Sequence, residues 1–192
     1  MGFIIPITGA RKEACLSVKY EDVFNLKELY KFCHDLLVSK GYASEKRDEY
    51  MERFYLERLS QKGDKEIWVW WRTSRAPGGS IYFLYVLNMD FHVLGMRDIE
   101  LMLKGRKLKA QRAEIEVLIN GYIELMPGYE PKGWMSAFAE FFRRYIYRTQ
   151  IEAHKRAFRA EIDEIQDMIK RFLELKGFLP ETELFVPPKG LI

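Results

Sequence analysis

Residues 114–125 read EIEVLINGYIEL and carry the pattern that decides the fold class. Apolar and polar side chains alternate, so Ile115 and Val117 share one face of this stretch while Glu114 and Glu116 share the other. A period of two is typical of a β-strand. One covered face and one largely wet face are typical of an antiparallel sheet. The stretch therefore predicts an antiparallel sheet.

Comparable stretches lie on its N-terminal side, separated by short turns rich in glycine. A first strand is predicted around residues 16–20, and further strands over 51–59, 66–74, 81–94 and 99–104. The long strand 81–94 is expected to end at Gly95. With 114–125, the sheet is predicted to have about five to six strands.

Two helices frame these strands. Asn25 is placed to cap a helix over 26–39, Glu28 can reach back to it, and Phe24 with Leu29 can form a hydrophobic staple. Gly41 supplies the stop signal. A much longer helix is predicted over 134–176, after a loop rich in proline and glycine.

The order of elements predicts an α+β fold, with one helix after the first strand and a long C-terminal helix packed on the sheet. This order is similar to that of helix-grip proteins, in which a curved sheet wraps a C-terminal helix around an apolar cavity. The resemblance lies in element order and implies no site residue. The predicted organisation is an α+β domain over 1–147, a helical extension or continuation of the C-terminal helix over 148–177, and an extended tail over 178–192.

Composition narrows the functional class. The 192 residues are 48% hydrophobic and 31% charged, which excludes general disorder, and the net charge of +3 is too small to indicate nucleic-acid binding. Cys15 and Cys33 form no disulfide framework, so a reduced, cytoplasmic setting is expected, with Cys33 as a buried thiol. The apolar runs are too short to span a membrane.

Motifs for catalysis are absent from the sequence. No nucleotide-binding, metalloprotease or hydrolase motif occurs, so neither a cofactor nor a metal is expected. Asn88, Asp90 and His92 share one face of a predicted strand and are the only candidates for a catalytic group. The interpretation that the sequence favours for them is the polar, wet face of a half-buried strand. His154 is interpreted as a solvated helix residue. The sequence favours a non-enzymatic protein.

An aromatic and basic surface is the first candidate for binding. Trp68, Trp70 and Arg72 share one face of a predicted strand, where they form either core packing or an exposed patch for a protein partner or nucleic acid. A basic turn could join them. Its residues are Lys104, Arg106, Lys107, Lys109 and Arg112.

A seam along the C-terminal helix is the second candidate. Its apolar residues alternate spacings of four and three, as in a coiled coil, and the helix changes from basic to acidic along its length. The seam could join two copies into a homo-oligomer, or it could pack against its own chain. Its residues are Phe158, Ile162, Ile165, Ile169 and Phe172.

An apolar pocket is the third candidate. If the sheet grips residues 134–147, aromatic side chains of the helix would face β-branched side chains of the sheet and line a cavity for a small apolar ligand. The lining would be Phe138, Phe141, Phe142, Tyr145, Ile115, Val117 and Ile119.

These surfaces predict a protein whose function is binding. The leading expectation is a partner-binding or self-assembling protein that acts through its long helix and its aromatic sheet surface. A carrier of a small apolar ligand is the first alternative, and a factor associated with RNA or DNA is the second.

Overall fold

The computed structural model describes residues 11–43, 51–60, 63–80, 82–103, 106–125 and 148–176. Predictions for 134–147 and for the tail 178–192 lie outside these ranges. The described elements, in chain order, are β1 (Arg11–Phe24), α1 (Leu26–Ser39), β2 (Glu52–Leu59), β3 (Lys65–Arg75), β4 (Phe83–Leu103), β5 (Arg106–Leu125) and α2 (Arg148–Lys176).

The five strands form one antiparallel sheet in the order β1-β5-β4-β3-β2. Strands β2 to β5 follow one another as hairpins, whereas β1 pairs with β5, with Val18 opposite Val117. The chain therefore passes from one edge of the sheet to the other between β1 and β2, and α1 lies in this connection. The predicted α+β architecture, with a helix after the first strand and a C-terminal helix on the sheet, is confirmed.

Helix α1 begins and ends where its signals predict. The Asn25 side chain accepts a hydrogen bond from the Glu28 backbone N–H at 3.2 Å, which satisfies a donor in the first turn. Gly41 adopts a φ of 77° just beyond the helix, a conformation that side chains with a Cβ rarely adopt. Leu29, Cys33 and Leu37 lie on the buried face of the helix.

Strand β4 differs from its prediction. It continues past Gly95 to Leu103, so the two strands predicted over 81–94 and 99–104 are one strand. Gly95 has a φ of 62°, and the pairing with β5 shifts between Leu94 and Arg97. Glycine here accommodates a bulge in the strand rather than its end.

Strand β5 is correspondingly longer than predicted, because it begins at Arg106 rather than Glu114. The pairing of β4 with β3 reaches only to Met96, and that of β5 with β1 only to Gln111. The ends of β4 and β5 therefore extend beyond the five-stranded sheet as a two-stranded ribbon.

Both helices pack on one face of the sheet, which we call the inner face; the opposite face is the outer face. The core includes the inner-facing side chains of the strands together with the apolar stripes of α1 and α2. Trp71 is fully buried there, and its indole N–H donates to the Tyr30 hydroxyl of α1 at 3.0 Å. The same hydroxyl contacts the Glu52 carboxylate of β2, which fixes α1 to two strands.

Helix α2 approaches the sheet closely at one point. Gly121 of β5 lies beneath it, and a Cβ at this position would collide with Cδ1 of Ile162 and come within 3.0 Å of the Phe158 ring. Glycine is therefore required for the close packing of α2 on β5.

Neither helix of the described ranges is long and apolar enough to cross a lipid bilayer.

Candidate binding face and buried polar cluster

The outer face of β3 and β4 carries the residues that the sequence nominated for chemistry. Asn88, Asp90 and His92 lie side by side along β4, as their spacing predicts. Each lies opposite an outer-face residue of β3: the pairs are Arg72 with Asn88, Trp70 with Asp90, and Trp68 with His92. The fold thus brings two predicted groups, one catalytic and one for binding, into a single surface.

An ion pair lies at the centre of this surface. The Arg72 guanidinium donates to the Asp90 carboxylate and, at 2.8 Å, to the Trp71 backbone carbonyl; it also lies 5.7 Å from the centre of the Trp70 ring. Burial raises the pKa of Asp90, and the hydrogen bond from Arg72 opposes the rise. The Asp90 carboxylate thus anchors the Arg72 guanidinium on the outer face.

A second set of contacts surrounds His92. Its ring stacks on the Trp68 indole with centroids 3.5 Å apart, and its Nε2 lies 3.2 Å from the Glu66 carboxylate. The Trp68 indole N–H donates to the same carboxylate at 3.1 Å. These contacts fix both rings, and the hydrogen bond from His92 is the largest cause that lowers the pKa of Glu66.

Both outer tryptophans are half-buried, because neighbouring rings cover part of each indole. Trp68 is stacked on His92, and Trp70 is stacked on Phe54 of β2 with centroids 4.3 Å apart. Stacking with nucleic-acid bases requires exposed tryptophan rings, and neighbouring aromatic rings already cover part of both indoles. We call this surface the aromatic patch; its residues are Phe54, Trp68, Trp70, Arg72, Asp90 and His92.

Two asparagines border the aromatic patch. Asn88 and Asn120 lie directly opposite each other on β4 and β5, with only 6% and 5% of their surface exposed. In the part of the chain that the structure describes, neither Oδ1 atom has a hydrogen-bond partner. The outer face is therefore more buried at these two asparagines than the alternating sequence predicts. Their Oδ1 atoms can accept hydrogen bonds from N–H or O–H donors.

The basic turn lies away from the aromatic patch. Arg106, Lys107 and Lys109 belong to the ribbon end of β5, Lys104 lies outside the described residues, and Arg112 is exposed. Arg112 pairs with Arg97, five positions along β4 from His92. Five residues of strand span about 17 Å. The structure therefore does not join the two halves of the surface predicted to bind nucleic acid.

The residues predicted to line an apolar pocket are only partly described. Phe138, Phe141, Phe142 and Tyr145 lie outside the described ranges. Ile115, Val117 and Ile119 are fully buried in the core that α2 shares with the sheet.

The predicted seam of α2 faces its own sheet. Phe158, Ile162, Ile165 and Ile169 are fully buried in the core, and Phe172 stacks on Phe32 of α1 with centroids 4.4 Å apart. This is packing against the chain's own body, one of the two arrangements that the pattern allows. Association of two copies through the seam would require α2 to leave the sheet.

A buried polar cluster lies between α2, the end of β3 and the residues after α1. Arg75 donates to the Glu161 carboxylate at 2.7 Å and to the Lys40 carbonyl at 2.7 Å, and its guanidinium lies 4.9 Å from the centre of the Tyr42 ring. One buried atom on each of three side chains has no hydrogen-bond partner within the described ranges: Tyr42 Oη, Arg75 Nε and Glu161 Oε1. Buried water commonly satisfies such groups.

His154 borders this cluster, and its interpretation as a solvated residue is wrong. Its ring stacks on Phe83 with centroids 3.9 Å apart, and its Nδ1 lies 2.7 Å from the Tyr85 hydroxyl. No local signal reveals this cluster, because its members come from three separate segments. A half-buried histidine among basic helix residues has the same sequence pattern as an exposed one.

Burial lowers the pKa of His154, because the imidazolium loses hydration in the folded chain. Below its ordinary pKa of about 6.5, the unfolded chain therefore binds a proton that the folded chain binds less well, and stability falls as the pH drops through this window. Burial raises the pKa of Glu161, and this shift affects stability in the opposite direction. Stability falls as the pH rises above the ordinary pKa of a glutamate.

We expect a His154→Gln variant to lose less stability than the wild type when the pH falls from about 7.5 to about 5.5. Glutamine stays neutral and keeps polar atoms near the Tyr85 hydroxyl. Urea unfolding at both pH values measures the difference, and Glu161 is common to both proteins. Equal losses in the two proteins would contradict the role of His154.

The two cysteines differ in their exposure to solvent. Cys33 is fully buried, and burial raises its pKa, so it remains a thiol, as predicted. Cys15 is exposed, and both cysteines are free. The described residues contain no cluster of three or more His, Cys, Asp or Glu side chains that could hold a metal ion.

Comparison with known proteins gives one weak structural neighbour. No protein-family model and no curated protein matches the chain. Among solved structures, the chain is similar to an uncharacterized protein from Rhizobium leguminosarum, with 8% sequence identity and a TM-score of 0.17 over 84% of this chain and 97% of that one.

Proposed function

We propose that this protein is a non-enzymatic binding protein whose aromatic patch receives a polypeptide partner. The observation that carries the proposal is the composition of the patch: two tryptophans, one phenylalanine and one arginine, held in place by stacking and by the Arg72–Asp90 ion pair. Tryptophan and arginine are the residues most enriched at the energetic centres of protein interfaces.

Exposed apolar side chains lie next to the patch and extend it. Leu56 of β2 lies opposite Trp68, and Leu94 of β4 follows His92 on the outer face. They are 46% and 38% exposed. Such residues around half-buried aromatic anchors support docking of a partner, because they exclude water from the centre of an interface.

The charges around the patch favour a partner segment with basic residues. Glu66 contacts Trp68 and His92 of the patch, and Glu114 and Glu116 of β5 lie opposite Leu94 and His92. These carboxylates would repel phosphate groups, which supply most of the affinity in nucleic-acid binding. The partner's expected chemistry is therefore apolar and basic.

A phage-displayed library of random peptides tests the proposal. We expect the selected peptides to share apolar and basic residues and to lose about 2 kcal/mol, or about thirtyfold in affinity, on the Trp70→Ala variant. Tyr82→Ala is the matched control, since Tyr82 is an exposed aromatic residue outside the patch.

The proposal is wrong if no peptides are enriched, or if the enriched peptides bind Trp70→Ala as they bind the wild type. Fluorescence anisotropy with single-stranded RNA separates the nucleic-acid alternative. Binding at low salt that weakens in Trp70→Ala would support that alternative instead.

A further inference from the structure

The two edges of the sheet differ in how they are covered. At the β1 edge, side chains of α2 donate to backbone carbonyls: Gln166 Nε2 to Ser17 at 2.9 Å and Arg159 Nε to Glu13 at 3.1 Å. The charged side chains of Lys12, Lys19 and Glu21 are exposed along the same strand. Cover and charge are the usual means by which a sheet edge avoids pairing with another strand.

The β2 edge carries exposed charges, at Arg53, Glu57 and Arg58, but it lacks the cover that α2 gives to β1. Within the described ranges, no side chain caps its outward backbone groups, and it ends the sheet. Tyr55, Leu56 and Leu59 are 51%, 46% and 66% exposed, so β2 exposes more large apolar side chains than any other strand of the described sheet. An apolar unpaired strand is a template for adding a further strand.

The backbone pattern of β2 limits how a further strand can pair. The Ser60 N–H donates to the Asp64 carbonyl at 2.8 Å, across the turn toward β3. Since these directions alternate along a strand, Tyr55, Glu57 and Leu59 direct their N–H and C=O groups to the free edge. A second copy must therefore pair these odd-numbered residues with its own odd-numbered residues.

The charges then select one register for two copies of β2. With Tyr55 opposite Tyr55 of a second copy, Phe54 lies opposite Leu56, and Arg53 lies opposite Glu57, whose carboxylate also pairs with Lys65 of its own chain. The two-fold axis repeats each contact, so the Arg53–Glu57 pair forms twice. Centring on Glu57 or Arg58 would instead place like charges together, which is destabilising.

The neighbouring registers form fewer favourable pairs. Centring on Leu56 places Glu57 opposite Tyr55 and Arg58 opposite Phe54, and centring on Phe54 places Arg53 opposite Tyr55. A bulge lies at one end of the favoured register, because the pairing of β2 with β3 shifts between Glu52 and Phe54. Arg53 lies in this bulge, and its long side chain can reach the carboxylate of Glu57.

We propose that two copies of this chain associate through β2, antiparallel and centred on Tyr55, to form a continuous ten-stranded sheet. The outer faces of the two copies then join at Phe54 and Leu56, so the aromatic patch of one copy continues into that of the other. The proposal is independent of any partner at the aromatic patch.

Charge reversal tests the pairing. Sedimentation velocity over about 1–100 µM is expected to show the wild type moving from the mass of one chain toward that of two. Arg53→Glu and Glu57→Arg each convert both opposite-charge pairs into like-charge pairs, so each variant alone is expected to dimerise about tenfold or more weakly. Both residues are exposed, and circular dichroism checks that the variants fold.

Two further experiments restore the opposite charges, and they distinguish charge pairing from a general loss of dimerisation. The double variant Arg53→Glu/Glu57→Arg is expected to dimerise like the wild type, because the pairs are opposite again. An equal mixture of the two single variants is expected to form the mixed dimer, in which each Glu–Arg pair is complementary. Dimerisation of either single variant at wild-type strength, or failure of both restorations, would overturn the proposal.

A disulfide reports the register directly. Hydrogen-bonded residues opposite each other in antiparallel strands have Cα atoms about 5.5 Å apart, within the range of about 4.4–6.8 Å that a disulfide spans. In a Cys15→Ser background, Tyr55→Cys is expected to give a covalent dimer on mild oxidation, and Leu59→Cys is the exposed control that should not. A mass of one chain throughout the concentration series, or cross-linking of Leu59→Cys as efficient as that of Tyr55→Cys, would overturn the proposal.

Discussion

Replacing Ile165 by aspartate is expected to unfold the chain. Ile165 is fully buried where α2 packs on the sheet. Truncating such a side chain to alanine already costs about 2–5 kcal/mol. A carboxylate adds the cost of burying a charge without a partner, and small domains are stable by only about 5–15 kcal/mol. We therefore expect loss of the native circular dichroism spectrum, or a urea midpoint close to zero.

Ala160→Asp is the matched control for this change. Ala160 is exposed on the same helix, so it receives the same charge without burial, and we expect its stability to stay within about 0.5 kcal/mol of the wild type. If Ile165→Asp instead stayed folded and converted an oligomer into single chains, the seam would be an interface between copies.

Gly121→Ala is expected to destabilise the protein by about 3 kcal/mol, at the upper end of the range for overpacking a core. The added methyl group would occupy the space of Cδ1 of Ile162, and it would crowd the Phe158 ring on the same side. Neither side chain can turn into solvent to make room, because both are fully buried. Urea unfolding measures the loss.

The Ile162→Val variant supplies the control, because it removes the Cδ1 atom that collides. Alone it is expected to cost about 0.5–1.5 kcal/mol, through lost packing. In the Gly121→Ala background it should cost less or restore stability, so the two changes are coupled. Additive losses would show that contact with Ile162 is not the reason for glycine at position 121.

The sequence predicts best where local chemistry decides the structure. The cap at Asn25 and the apolar stripe of α1 give the helix its observed bounds, because capping and periodicity act within a few residues. Gly95 misleads the prediction for the opposite reason. A glycine in a strand is compatible with an end or with a bulge, and only the partner strand decides which one forms.

In the candidate sites, too, the sequence predicts what local chemistry decides and misses what distant residues decide. Alternation places Asn88, Asp90 and His92 on one face, and Trp68, Trp70 and Arg72 on one face, but it cannot show that the two sets lie opposite each other. Register depends on hairpin geometry and on packing between distant residues. The ion pair of Arg75 with Glu161 joins residues 86 positions apart, so no local pattern predicts it.

The pairing of β1 with β5 also has a consequence for synthesis. Val18 pairs with Val117, so β1 has no strand partner until nearly a hundred further residues have been made. At about 5–20 residues per second, translation leaves β1 waiting for roughly 5–20 s. The hairpins of β2 to β5 can form in chain order, whereas the closing contact of the first strand comes last. A growing chain therefore carries β1 without its partner strand while these residues are added, and we expect the ribosome surface or a chaperone to protect β1 until β5 emerges.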